Sequence, residues 1–295
     1  MGHKVLVAED ASSGFACELS NGLRKFVNLT TVWENKSYYS VDYIDPLSKI
    51  GLENLPNESN GIIIVGAGMY KRLQQYLSTS SHDSITIIIT DSWFMHESDF
   101  FNDKFKDYNV FATSCKMPFR SGYPTKEYYQ PFDLSDIEIV KNRTLTLSHS
   151  PFTQSKFLQK GTDYIINATK NYNFDLITGV SWDESINRKA KSHIFIDQID
   201  YDNPYHKGEI EWDGGIGRSG LEAMLLDCLV ISRGKFTGID IPAPPIVWCD
   251  KNSLGDILKH YAYSIEERNK VISLQKEWAL KYLNSEYQAK RILNI

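Results

Sequence analysis

The sequence predicts an α/β protein built from two similar halves. Three observations carry that expectation. Short apolar runs alternate with helix-length amphipathic stretches, the alternation breaks once and then starts over, and a glycine cluster opens a helix late in the second half. Such alternation is the pattern of stacked βαβ units, whose parallel sheets are covered by helices. A chain of 295 residues makes one large domain or two medium ones, since domains cluster near ~100–150 residues, and the restart points to two.

In chain order, the first half reads as strands at Lys4–Ala8, Thr30–Trp33, Gly61–Val65, Ser84–Thr90 and Asn109–Thr113, with helices over Gly14–Phe26 and Met69–Ser78. Tyr123–Asn142 then interrupts the periodicity with Pro124, Pro131 and mixed charge, which places the junction there. The domains are accordingly 1–140 and 141–275. The second half reads as strands at Leu145–Ser148, Asp175–Thr178, His193–Asp197, Cys228–Ser232 and Ile246–Trp248. Its helices fall near Gly161–Tyr172, Ser219–Leu226 and Ser253–Tyr261. Ser264–Leu283 and Ser285–Leu293 continue as a long helical pattern rich in Glu, Lys and Gln, anchored by Trp278, Leu280 and Leu283. Residues 276–295 either pack on their own domain or cross back to the first.

Composition narrows the function classes. Hydrophobic residues at 42% and charged residues at 23% are ordinary for a globular chain. The longest apolar runs, such as Ile85–Ile89, are strand-sized and far short of the ~18–20 residues of a membrane span. The N-terminus passes straight into a strand pattern with no signal-peptide features, so the expected location is the cytoplasm of a bacterium or of a virus-infected bacterial host. Cys17, Cys115, Cys228 and Cys249 are scattered, without the paired spacing of a zinc or redox site, and read as buried thiols. A net charge of −5 gives no global attraction for nucleic acid, although a local basic groove is compatible with it.

The chemistry-bearing segment is Gly214-Gly215-Ile216-Gly217-Arg218-Ser219-Gly220-Leu221-Glu222-Ala223-Met224. Glycines opening a helix let backbone N–H groups approach an anion at the positive helix end, and Glu222 sits where it could face a sugar attached to that anion. The spacing is not the dinucleotide fingerprint, which follows a first strand directly and places an acid about 20 residues on. Two further blocks precede it: Ser148-His149-Ser150-Pro151 with Lys160-Gly161-Thr162-Asp163-Tyr164-Ile165-Ile166-Asn167-Ala168, and His193-Ile194-Phe195-Ile196-Asp197-Gln198. In this order the three blocks resemble the retaining, family 4-like glycosyltransferases of GT-B fold, in their C-terminal group 1 domain. The resemblance covers roughly Leu145–Ile231. It implies two Rossmann-like domains facing each other across a cleft, an acceptor domain first and a nucleotide-sugar donor domain second. One departure stands out: where many members carry a first glutamate eight positions before the second, this chain has Gly214, with Asp213 one place off. The chain is also short for the family, which implies compact loops.

A departing nucleoside diphosphate develops negative charge that a site must meet with cations or aligned N–H dipoles. The resemblance implies Lys160 as that cation, with Gly217, Arg218 and Ser219 toward the phosphates, Glu222 toward the ribose hydroxyls, and His149 beside the donor. Each has a plainer alternative: Lys160 as a solvated cap, His149 as a satisfied strand-end histidine, Arg218 as a solvent-facing side chain. Glu222 is harder to read plainly, since a glutamate on an apolar helix face needs a partner or a ligand. In the first half, Gly14 lets the backbone come close to a ligand or simply turns the chain into a helix. Asp91, at the end of a strand, orients an acceptor hydroxyl or caps the next helix. Lys116 and Arg120 make the local basic spot toward an acceptor, with His96 nearby. The Tyr201–Gly215 run is long for a connection and reads as a donor-side flap or as packing.

The expected function is transfer of a sugar from a nucleotide-diphosphate sugar, as co-substrate and with no other cofactor, to a hydroxyl of a glycan or small molecule. The resemblance implies a retaining, metal-independent reaction. Two alternatives stand beside it: a viral DNA glycosyltransferase acting on hydroxymethylated pyrimidine bases, with DNA as partner, and a non-catalytic nucleotide-sugar-binding protein.

Overall fold

The computed structural model describes residues 2–8, 13–33, 58–89, 98–113, 122–152, 160–199, 216–234 and 240–295. It comprises two compact α/β units. Met1–Asp133, Ile239–Ile241 and Tyr282–Ile295 form the first, and Leu134–Gly238 with Pro242–Lys281 form the second. The units therefore divide a few residues before the expected boundary at 140. Of residues 276–295, those through Lys281 stay with the second unit and those from Tyr282 onward belong to the first.

The first unit runs β1 (His3–Ala8), α1 (Ser13–Leu23), β2 (Asn28–Trp33), β3 (Glu58–Ser59), β4 (Ile62–Val65), α2 (Ala67–Leu77), β5 (Ser81–His82), β6 (Ile85–Ile89), α3 (Ser98–Phe105), β7 (Asn109–Ala112) and β8 (Lys126–Glu127). Six strands make one parallel sheet in the order β2-β1-β4-β6-β7-β8, and β3 pairs with β5 beside it. Val5–Ala8 and Ile62–Val65 are buried residue after residue rather than alternately. That is why they read as unbroken apolar runs: helices cover both faces of a parallel sheet.

The second unit runs β9 (Thr146–Phe152), α4 (Thr162–Ala168), β10 (Asn173–Thr178), α5 (Trp182–Ala190), β11 (Ile194–Ile196), α6 (Arg218–Leu225), β12 (Leu229–Ser232), β13 (Val247–Trp248), α7 (Leu254–Tyr263) and α8 (Ile265–Tyr282). Its parallel sheet has the order β10-β9-β11-β12-β13. The chain steps outward from β9 to β10 and then returns past β9 to β11. The winding reverses between β9 and β11, and crevices for ligands form at the carboxyl ends of strands at such a point. Gln275 ties α8 to this sheet from a fully buried position. Its Oε1 accepts from the Val230 N–H at 2.8 Å, and its Nε2 donates to the Val230 and Pro245 carbonyls at 3.0 and 3.1 Å.

The last helix, α9 (Ser285–Leu293), packs along α1 in the first unit. Ala289 and Ile292 join Ala16, Leu19 and Leu23 in one core cluster. The approach is close enough to require glycine at position 22, where a Cβ would lie 2.2 Å from the Ser285 carbonyl oxygen. Two short helices, α3 and α5, lie where no helix was expected.

Candidate functional site

Three segments converge at the winding reversal of the second sheet: the end of β9, the residue after β11, and the start of α6. Asp197 follows β11 and is fully buried. One oxygen, Oδ1, pairs with Lys160 Nζ at 3.0 Å, and Oδ2 accepts from the Gly217 N–H at 2.6 Å. An internal carboxylate thus sits at the positive end of α6 and fixes a lysine beside it. Gly217 has ordinary extended torsions, φ −74° and ψ 161°, so no unusual backbone angle demands glycine. A Cβ there would lie 2.9 Å from Asp197 Oδ1 and 3.2 Å from Lys160 Nζ, so a larger residue would have to displace that ion pair.

His149, on β9, is fully buried with both ring nitrogens engaged. The Ile196 carbonyl lies 2.7 Å from Nδ1, which must therefore carry the proton, and Thr162 Oγ1 lies 2.8 Å from Nε2. Burial first, then the Lys160 charge, push the imidazole down to about 4. The neutral ring joins β9, β11 and α4. Both ring nitrogens are thus satisfied within the fold, which agrees with the plainer of the two sequence readings of His149.

One turn along α6, Glu222 is 2% exposed and carries three contacts. Its Oε2 lies 2.5 Å from Lys189 Nζ, and its Oε1 accepts from Arg218 Nε at 2.8 Å and Trp182 Nε1 at 2.9 Å. A buried carboxylate is costly unless paired and hydrogen-bonded. Burial alone raises its proton affinity, but Lys189 and Arg218, helped by the Lys189 and Trp182 hydrogen bonds, outweigh it and hold the carboxyl below its ordinary range.

The cluster forms one wall of a cavity of about 140 Å³. Ser150 enters from β9, Gly179 and Ser181 from the loop after β10, Trp182 and Lys189 from α5, and Arg218, Ser219 and Glu222 from α6. A cavity of ~150 Å³ is enough to enclose one aromatic ring. This one offers an ionised carboxylate, an indole and backbone groups to a small polar ligand at the end of a glycine-opened helix.

Arg218, Ser219 and Glu222 therefore share a cavity, while Lys160 stands with Asp197 on the other side of Gly217. Trp182 and Lys189 had no assigned role in the sequence reading, because α5 was not expected. Its signal is a capping pattern, Ser181-Trp182-Asp183-Glu184, and Ser181 Oγ does accept from the Glu184 N–H at 3.2 Å. Asp197 was noted only as part of a strand. Gly14 falls in the first turn of α1. Asp91, His96, Lys116, Arg120 and the whole Tyr201–Gly215 run, with Asp213 and Gly214 in it, lie outside the described residues. Cys228 and Cys249 are buried free thiols. Among the described residues no group of His, Cys, Asp or Glu side chains could hold a metal ion, and no helix is long and apolar enough to cross a membrane.

Two parallel α/β units of Rossmann-like winding make this a GT-B type of fold. Among solved structures, the chain is similar to an alpha-glucosyltransferase in complex with UDP-glucose and DNA containing an abasic site, with TM-score 0.64, 11% identity, and 99% of this chain and 98% of that chain covered. An alpha-glucosyltransferase in complex with UDP and a 13-mer DNA containing a central A:G mismatch gives TM-score 0.62 at 11% identity, with the same coverage. A UDP-N-acetylglucosamine 2-epimerase gives 0.54 at 10% identity, covering 99% of this chain and 94% of that chain. No family model and no curated protein sequence matches the chain.

Proposed function

We propose that the protein is a glycosyltransferase of the retaining, family 4-like kind that moves a sugar from a nucleotide-diphosphate donor to a hydroxyl acceptor without a metal. The observation that carries this is Glu222: an ionised carboxylate in a one-ring cavity, one helical turn from a glycine-opened helix start with Lys160 beside it. The similar structures include enzymes that hold UDP or UDP-glucose, which supports a nucleoside diphosphate as the ligand.

In this reading Glu222 accepts hydrogen bonds from ribose hydroxyls, and Arg218, Ser219 and the start of α6 meet the diphosphate. During transfer the bond between the anomeric carbon and the diphosphate oxygen breaks, with its electron pair leaving on the phosphate. The acceptor oxygen bonds to that carbon, and its proton passes to a base. Lys160, already pinned by Asp197, supplies positive charge toward the leaving group without reorganising. Asp91, Lys116 and Arg120 are assigned to the acceptor side of this reading from the sequence alone, since all three lie outside the described residues.

A hydroxymethylated base in DNA is a second reading of the acceptor. It is favoured by the two alpha-glucosyltransferases bound to DNA, which match over 98% of their length. Glycan and DNA acceptors separate by salt: DNA transfer should weaken steeply as ionic strength rises, because phosphate contacts release counterions. The donor reading is tested by calorimetric titration with UDP. Micromolar to millimolar binding that Glu222→Ala weakens at least tenfold is expected; equal binding by both proteins would place the donor elsewhere. Binding without turnover would identify a non-catalytic binder.

A further inference from the structure

The two helices that wall the cavity both begin beside it, at Trp182 and Arg218, and they are tied to each other again where they end. Lys141, half-buried and a few residues before β9, makes that tie. Its ammonium donates to the Ser192 carbonyl at 2.5 Å, just past the end of α5, and to the Leu226 carbonyl at 2.6 Å, at the end of α6. Carbonyls in the last turn of a helix have no partner within it and carry the negative end of its dipole, so one cation there serves both helices.

Those two carbonyls lead directly to the buried ion pair. The Ser192 N–H donates to the Lys189 carbonyl at 2.9 Å, and the Leu226 N–H donates to the Glu222 carbonyl at 3.2 Å, sharing that bond with the Ala223 carbonyl. The Lys189 and Glu222 side chains meet at 2.5 Å. A closed ring of contacts results: the Lys141 ammonium, Ser192, Lys189, Glu222, Leu226 and the ammonium again. Cys228 fills the space under it, with Sγ 3.6 Å from Lys141 Nζ and donating to the Lys189 and Ser192 carbonyls at 3.3 and 3.4 Å.

We propose that Lys141 is a positioning residue for the Glu222 carboxylate: by clamping the last turns of α5 and α6 it sets the separation across which Lys189 and Trp182 reach that carboxylate. This rests on the donor-site reading above. Lys141 does not line the cavity, so it acts through Glu222 and not on a ligand. A neutral side chain in its place leaves two helix-end carbonyls to find other partners and lets the last turns part. Glu222 is then no longer held at one point of the cavity wall, and a ligand group that needs it there loses its partner.

The test is titration with UDP well below the melting temperature of each variant, followed by ligand NMR so that weak binding stays measurable. Lys141→Met keeps the apolar stem and removes the ammonium. It should weaken UDP binding about fivefold or more, within the range by which residues of one hydrogen-bonded network couple. The same substitution made in Glu222→Ala should cost less than about twofold further, because the group it positions is gone. Lys141→Arg keeps a cation at the two carbonyls and should bind within about twofold of wild type. A lysine that only stabilises the unit would lower the melting temperature and leave UDP affinity unchanged, or would weaken binding by the same factor in both backgrounds. Either result overturns the proposal, as does Lys141→Arg binding no better than Lys141→Met. If Lys141→Met does not fold, Lys141→Gln takes its place, and failure of both to fold marks a residue that holds the fold and overturns the proposal as well. Absence of UDP binding by the wild-type protein would overturn the donor site itself, and this role with it.

Discussion

At the scale of single residues, the proposed donor site sets Glu222 and Lys160, the charges assigned to the ligand, apart from groups that hold the fold. Glu222→Ala and Lys160→Ala should each lower kcat/KM at least tenfold, a loss of about 1.4 kcal/mol or more in transition-state stabilisation. Steady-state kinetics on a turned-over donor checks both. His149 belongs to the other class. Its folded value of about 4 lies below the ordinary 6.5, so the unfolded chain binds the proton more readily. Its contribution to stability is complete above about pH 6.5 and is lost as pH falls toward 4. Urea midpoints should drop across that window, and His149→Gln should flatten the drop; an unchanged pH profile in the variant would remove the imidazole from this role. Glu222 was legible in the sequence because an acid among Leu221, Ala223 and Met224 has few plain explanations. Lys189 was not, since its meaning depends on a carboxylate 33 residues away in the chain.

At the scale of elements, the strands were legible because both faces of each sheet are covered, which writes them as continuous apolar runs such as Ile62–Val65. The helices were legible only where they were long or carried a strong signal. α5 has nine residues, Trp182–Ala190, mostly polar or charged after the leading tryptophan; its capping pattern was present and went unread. α3, with eight residues, offers too few turns for a clear period. The α1–α9 contact gives a sharp element-scale expectation. Gly22→Val places its Cβ against the Ser285 carbonyl, so the two helices must separate, at a cost of about 1–3 kcal/mol or more. A lower urea midpoint is expected; a midpoint equal to wild type would mean that the helices slide apart freely.

For the whole molecule, the two units are not simple consecutive pieces of chain. Ile239–Ile241 and Tyr282–Ile295 return to the first unit, where Arg291 donates to the Glu127 carbonyl at 2.7 Å and pairs with Asp240. A proline-marked break near residues 123–142 was enough to show that there are two units. The return was beyond the sequence, because the helical pattern of 264–293 looks the same whichever sheet it covers. Truncation after Leu283 removes α9 and bares Ala16, Leu19 and Leu23, so the first unit should melt while the second keeps its structure; two separate transitions by calorimetry would show this, and one unshifted transition would deny it.

The central claim is that this chain breaks the bond between a sugar and a nucleoside diphosphate. Incubation with a panel of radiolabelled nucleotide sugars, with and without glycan and hydroxymethylated DNA acceptors, tests it most directly. The expected result is release of nucleoside diphosphate from at least one donor, lost in Glu222→Ala. Intact donors across the whole panel, with neither hydrolysis nor transfer, would contradict it.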